Sequence, residues 1–383
     1  MTVGVDAQTE APGTAGRASL GSRLLPYLPI LVAAALLALL PLRYHDSAPM
    51  MRVITEGMLF AAYVVAFNVI FGSTGQLFLC TGALAGVGGF MSAIFADRVG
   101  LPMAAAIVVG VAIAATVGGL LSWISVKRAL GTIFVGIVTL AFSLSFDSLI
   151  LGRSDLFGGD AGLRVEAGTD TFLREKVPPY YMFLALVVVY LVVFRLLQRS
   201  RTGWAFRALR DDMVAAELAG VDVARYRILA GVLGSAMLGL AGALYAFSNG
   251  LIGRTTYEFG RVDVRVIVML AFGGIGSLLG PVVGAATFTW LDEFLIDYRE
   301  MRLMIYGFVI IALFLGFRRG VVPTATAWFG TVRRSSRGPV PQTLSVSEDE
   351  AAAEHTKAPG RSPKTDSGTN QSNSQVPPPR SAR

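Results

Sequence analysis

The sequence is poor in the groups on which soluble enzymes depend. Of its 383 residues one is cysteine, Cys80, and two are histidine, His45 and His355. A lone cysteine excludes an internal disulfide and a thiolate metal site. Two histidines argue against a histidine-rich metal centre or histidine-based catalysis. Charged residues make up 15% of the chain, against about 25% in soluble globular proteins, which excludes a soluble enzyme and a disordered chain. No lysine follows a glycine, so the phosphate-cradling GxxxxGK[ST] loop is absent, and so are HExxH, CxxC and GxSxG. The chain is therefore expected not to be an enzyme and to carry no cofactor, and any ATP with its Mg would have to be bound by a different chain.

What the sequence has instead is apolar mass. Hydrophobic residues reach 54%, and 43 glycines are present, more than an ordinary helical core holds and common in packed membrane helices. Mean hydropathy is +0.60. The net charge of +7 comes from 33 Lys and Arg against 26 Asp and Glu. The basic residues fall between apolar runs, which points to membrane topology and anionic lipid rather than nucleic acid.

The apolar runs are Leu24–Leu42, Val53–Phe71, Leu77–Ala96, Leu101–Val126, Thr132–Leu151, Tyr180–Leu197, Ile228–Phe247 and Arg302–Phe317. Each is near the roughly 20 residues that cross a hydrocarbon core of about 30 Å. Leu24–Leu42 lacks a convincing cleavage site, so it reads as a span rather than a signal peptide. A further run, Val264–Leu295, is broken by Gly273, Gly274, Gly276, Gly280 and Pro281, and reads as two short spans or a re-entrant pair. The expectation is an all-α polytopic bundle of about ten membrane segments over residues 24–325, between a cytoplasmic N-terminal tail (1–23) and a disordered C-terminal tail (326–383). That tail is rich in Ser, Pro, Thr and charge and has no apolar run.

With the N-terminus inside, Lys127, Arg128, Arg318, Arg319 and the loop from Gln198 to Arg227 face the cytoplasm. By raw count the two faces differ little, and the orientation rests on the density of arginine in that loop. Both termini are then cytoplasmic in a cell-membrane protein. Gly72-Ser-Thr-Gly75-Gln-Leu77 resembles Gly273-Gly-Ile-Gly276-Ser-Leu278, a candidate pair of inverted repeats of the kind that places glycine-interrupted helices along a transport path.

The loop at 199–227 is the most informative segment. Asp211 or Asp212 suits a helix N-cap, Met213–Leu218 tolerate helix, and Gly220 suits a left-handed stop. The result is a short helix of about two turns, too polar to insert. Met213, Val214 and Leu218 form a small apolar knob flanked by Arg207 and Arg210. A basic loop that only sets topology would not require the cap or the glycine.

From Arg207 to Val223 this loop resembles the coupling segment of permease subunits of branched-chain amino-acid ABC importers, specifically the LivM-like branch. The likeness continues through Tyr226-Arg-Ile-Leu-Ala230, Gly239-Leu-Ala-Gly-Ala-Leu-Tyr245, Phe272-Gly-Gly-Ile-Gly-Ser-Leu-Leu-Gly-Pro281, Ile137-Val-Thr-Leu-Ala-Phe142, Gly158-Gly-Asp-Ala-Gly-Leu163 and Phe317-Arg-Arg-Gly-Val-Val-Pro323. It covers roughly residues 50–325. Two departures stand near the pathway: Ser143-Leu144 replaces a Gly-Glu pair, and Gly158–Gly162 reads Gly-Gly-Asp-Ala-Gly in place of Gly-Gly-Pro-Asn-Gly.

The resemblance implies that Arg207, Arg210, Asp211, Asp212, Met213, Ala216, Glu217, Leu218 and Gly220 dock on an ATPase. It also implies the partners: two ATPase subunits, a second homologous permease and an extracytoplasmic substrate-binding protein. The cargo would be branched-chain or related hydrophobic amino acids, with urea, amides, a sugar or a nucleoside as alternatives. A stand-alone secondary transporter is a more distant reading.

Polar groups inside apolar runs are costly in hydrocarbon and mark a path or a helix contact. Asn68, Gln76, Thr139, Asp147, Gly273, Gly274 and Gly276 are the candidates for the path. Asn68 and Gln76 also suit hydrogen bonds between helices, and Asp147 also suits an outer helix end, paired with Arg153 or wetted. Glu56 is expected at an outer helix end, in solvent. Gly72, Gly75, Gly82, Gly86, Gly88 and Gly89 are expected to let helices approach closely.

Overall fold

The computed structural model describes residues 28–44, 47–166 and 177–295, with residues 175, 304, 307, 308, 320–322 and 324. The expected tails 1–23 and 326–383 lie outside the described residues, as does all of the expected span Arg302–Phe317 except Met304, Gly307 and Phe308.

The first apolar run forms α1 (Leu28–Ala38) and α2 (Leu40–Tyr44). Then follow α3 (Ala48–Thr74), α4 (Thr81–Val99), α5 (Met103–Lys127), α6 (Thr132–Gly152) and the single turn α7 (Ser154–Phe157). The chain continues through β1 (Leu163–Arg164), α8 (Pro178–Arg199), α9 (Arg201–Asp211), α10 (Met213–Leu218), α11 (Val223–Asn249), β2 (Leu251–Ile252), α12 (Phe259–Gly273) and α13 (Gly280–Phe294). The two short strands pair antiparallel, Leu163 opposite Ile252. Pro49, Pro178 and Pro281 lie in first helical turns, where a missing N–H costs nothing.

Among the described residues, five helices are long and apolar enough to cross a membrane: α3, α5, α6, α8 and α11. The expected count of about ten is thus not reached among the described residues, which leave out most of Arg302–Phe317. Leu77–Ala96 turns helical only at Thr81, because α3 stops at Gly75 (φ 70°) and residues 75–80 run non-helical. Val264–Leu295 becomes two 15-residue helices, α12 and α13, each about 22 Å long.

The core centres on α3, which is buried nearly all round and packs on α8, α11, α12 and α13. Helices α4, α5 and α11 meet through small residues. A Cβ at Gly88 would overlap the backbone of Gly239, one at Gly242 the backbone of Ala85, and one at Gly118 the side chain of Ser235. Between helices in lipid there is little hydrophobic gain from association, so this close approach and its dispersion contacts hold the bundle. Gly75 differs from its neighbours: nothing lies within 4 Å of its would-be Cβ. It serves the left-handed end of α3, not helix approach.

Candidate functional site

The arginine-rich loop folds as two helices, where the sequence suggests one. Ser200 starts α9 by accepting from the Gly203 N–H at 3.2 Å. Asp211 ends that helix, and Asp212 caps α10, accepting from Val214 N–H at 2.8 Å and Ala215 N–H at 3.0 Å. Gly220 follows with φ 84°, and its N–H donates to Glu217 O at 2.9 Å. Phe206, Leu209, Ala216 and Ala230 form a small separate core that fixes the pair to α8 and α11. Ala216 is therefore internal. Met213, Val214, Glu217 and Leu218 face outward, Leu218 at 85% exposure. Arg207 donates to Gln198 O at 2.8 Å and ties α9 back to the end of α8.

Beneath this platform the two glycine repeats meet. Each joins two helices by a non-helical break, residues 75–80 between α3 and α4 and residues 274–279 between α12 and α13. Asn68, fully buried on α3, holds them together: its Nδ2 donates to Ser277 O at 3.0 Å and its Oδ1 accepts from Gly276 N–H at 2.8 Å. The guanidinium of Arg210 reaches from α9 to Gly72 O at 3.3 Å and Ile275 O at 3.4 Å, and Gln198 Nε2 reaches Gly276 O at 3.2 Å. A cation at the carbonyl end of α3 also opposes that helix's dipole. Gly276 has φ 75°, and a Cβ there would run into the Arg210 guanidinium. Gly273 packs against the Gly280 backbone, and Gly274 O accepts from the Ser277 hydroxyl at 2.7 Å.

Of the candidate path residues, the structure brings Asn68, Gly273, Gly274 and Gly276 together. Gln76 and Thr139 anchor the other break. Gln76 Nε2 donates to Arg227 O at 2.9 Å, and Thr139 Oγ1 accepts from Leu79 N–H at 2.9 Å. Asp147 stands apart on α6, where Glu258 and Arg254 are the charges that act on it. The expected Asp147–Arg153 pair is absent. Arg153 instead bonds Asp155 at 3.2 Å, which holds the exposed Asp155 carboxyl below its usual range.

Two features escaped the sequence reading. Asp263 on α12 is fully buried, and its carboxylate accepts from the N–H groups of Thr81 and Gly82 at the start of α4. A carboxylate at that positive helix end replaces the missing N-cap side chain. Glu56, expected in solvent, forms ion pairs with Arg261 and Arg265, each at 3.8 Å, and Arg265 also meets Asp292 at 3.3 Å. The spacing of Arg261 and Arg265, which puts both on one helical face, was the available signal. Glu56 stands twelve residues before Asn68 on α3, so this cluster lies about 18 Å from the glycine breaks, toward the other end of the bundle. A cavity of about 320 Å³ opens there, lined by Glu56, Tyr63, Asp160, Tyr245, Arg254 and Arg261 among others.

The family described as branched-chain amino acid transport system / permease component matches residues 50–315. The LivM high-affinity branched-chain amino acid permease proteins of Salmonella typhimurium and Escherichia coli are each 26% identical over 295 residues, 70% of this chain and 69% of theirs. The fructose import permease protein FrcC of Rhizobium meliloti is 24% identical over 249 residues, 62% of this chain and 68% of its own. No solved structure matches the chain.

Proposed function

Because the chain belongs to the family of permease components of branched-chain amino acid transport systems, we propose that it is the multi-pass membrane subunit of an ABC importer for branched-chain or related hydrophobic amino acids. Two ATPase subunits dock on the platform of α9 and α10 from the cytoplasm and carry ATP and Mg. A second, homologous permease completes the path, and a substrate-binding protein delivers the solute to the opposite face. Both termini are cytoplasmic.

The observation that carries this reading is Arg210. It joins the platform to the backbone of both glycine repeats, through Gly72 O and Ile275 O. A push on the exposed Leu218 knob therefore moves α3 and the α12–α13 hairpin together, as a rigid body, because α9 and α10 are fixed to α8 and α11 by their own small core. Rocking of packed helices about such a joint alternates access to the path without breaking a bond in the solute. The identity to the fructose permease keeps a sugar as the second reading of the cargo.

The test is a pull-down of the tagged chain in mild detergent, with the co-purifying chains identified. ATPase subunits, a second permease and a binding protein are expected, and Glu217→Arg is expected to lose the ATPases while still inserting. A chain that purifies alone and transports in liposomes without ATP would overturn the proposal in favour of a secondary transporter.

A further inference from the structure

The cavity at the far end of the bundle carries charges of both signs on one wall. Glu56 from α3 and Arg261 from α12 are 3.8 Å apart, with side chains 39% and 51% exposed. Exposed pairs at that distance contribute little, so a solute that separates them loses almost nothing. The other arginine on Glu56, Arg265, has its own carboxylate in Asp292. Arg261 thus stays available to a new anion when Glu56 turns away. Leu59, Phe60 and the ring of Tyr63 give the cavity an apolar side. Its volume of about 320 Å³ is at the small end of ligand pockets, which run from roughly 300 to 1,000 Å³.

We propose that this cavity is a receiving site for a free α-amino acid, in which Arg261 takes the carboxylate, Glu56 takes the ammonium, and the Leu59–Phe60–Tyr63 side takes an aliphatic side chain. The inference rests on the importer reading and names its substrate class from the permease itself. A zwitterion with its two charged groups on one carbon exchanges one weak internal pair for two, one of them to a guanidinium that can bind a carboxylate in bidentate fashion. A neutral sugar has no charge to offer either group and must leave the pair closed. Because the pair is intact in the absence of solute, neither Glu56 nor Arg261 stands unpaired while the site is empty.

The test measures binding to the full chain, purified in nanodiscs with whatever subunits accompany it, by saturation-transfer NMR. The probes are L-leucine, isovalerate (no amine), isoamylamine (no carboxylate) and D-fructose. Saturable L-leucine binding is expected, not displaced by D-fructose. Arg261→Gln weakens L-leucine and isovalerate at least tenfold. Glu56→Gln weakens L-leucine and isoamylamine at least tenfold but strengthens isovalerate about threefold, because Arg261 loses its competing carboxylate. Opposite effects of one variant on two probes cannot come from misfolding, which lowers both.

Wild-type binding of L-leucine that neither variant alters, displacement of L-leucine by D-fructose, or no saturable L-leucine binding would each overturn the proposal. The same preparation separates the two ideas. ATPases retained without Arg261-dependent binding sinks the receiving site alone, and Arg261-dependent binding in a chain that retains no ATPase sinks the importer reading alone.

Discussion

Asn68→Ala removes the side chain that ties α3 to the break at residues 274–279. It deletes the bonds to Ser277 O at 3.0 Å and from Gly276 N–H at 2.8 Å, in a position with no solvent access. Two partly buried backbone groups are left unpaired, at up to about 1–3 kcal/mol each by soluble-protein experience. Side-chain bonds between membrane helices average nearer 0.6 kcal/mol, with a maximum of about 1.7. The lower scale fits a helix bundle better, and gives about 1–3 kcal/mol for the pair. For a membrane domain of about 300 residues that is a fall in melting temperature of roughly 2–5 °C. Asn68→Asp keeps the acceptor for Gly276 but sets an anionic oxygen against Ser277 O, so it should lose at least as much. Ser277→Ala should lose less than Asn68→Ala, because the Asn68 bond goes to the backbone at Ser277.

The assay is built into the sequence. Cys80 is the single cysteine and is fully buried, so a thiol-reactive dye reports unfolding of the detergent-solubilised chain. An Asn68→Ala melting curve within about 1 °C of wild type, or an Asn68→Asp protein more stable than Asn68→Ala, would refute the assigned role of these bonds.

Arg210→Ala should leave the ATPases bound, since the exposed knob is untouched, yet lower transport at least tenfold by disconnecting the platform from Gly72 and Ile275; uptake in proteoliposomes beside ATPase co-purification checks this. Gly88→Val should abolish a stable bundle, because even a Cβ there overlaps the Gly239 backbone; monodisperse elution of that variant in detergent would contradict the packing. Gly220→Ala should weaken ATPase retention by straining the φ 84° residue that closes α10, by about 1 kcal/mol or roughly fivefold in affinity, read by titration with purified ATPase.

Much of the bundle was legible because a membrane span is a composition problem. α3, α5, α6, α8 and α11 each announce themselves as an apolar run of sufficient length. Both ends of α10 were legible for a different reason, since a cap at Asp212 and a left-handed glycine at 220 are local chemistry. α9 was not, because Gly203 and its arginines look like loop until Phe206 and Leu209 find Ala216 and Ala230 to pack on. Long-range polar partners were invisible. Asn68 and Gly276 are 208 positions apart, and Asp263 meets Thr81 across 182. The glycine patterns marked both breaks, but only the fold shows that they touch. Glu56 keeps a half-exposed side chain, as a glutamate near a helix start suggests, but its two arginines come from α12 and could not be read locally.

The central claim is that the α9–α10 platform receives an ATPase on the cytoplasmic side. Leu218→Cys tests it most directly. Position 218 is 85% exposed while Cys80 is buried, so the variant offers a single reactive thiol. In intact cells this thiol should be shielded from a membrane-impermeant maleimide, and in inverted vesicles it should react. A thiol-to-amine cross-linker should join it to an ATPase chain, and Glu217→Arg should abolish that product. A transporting Leu218→Cys variant that is labelled from outside, or that cross-links to no ATPase, would contradict the account.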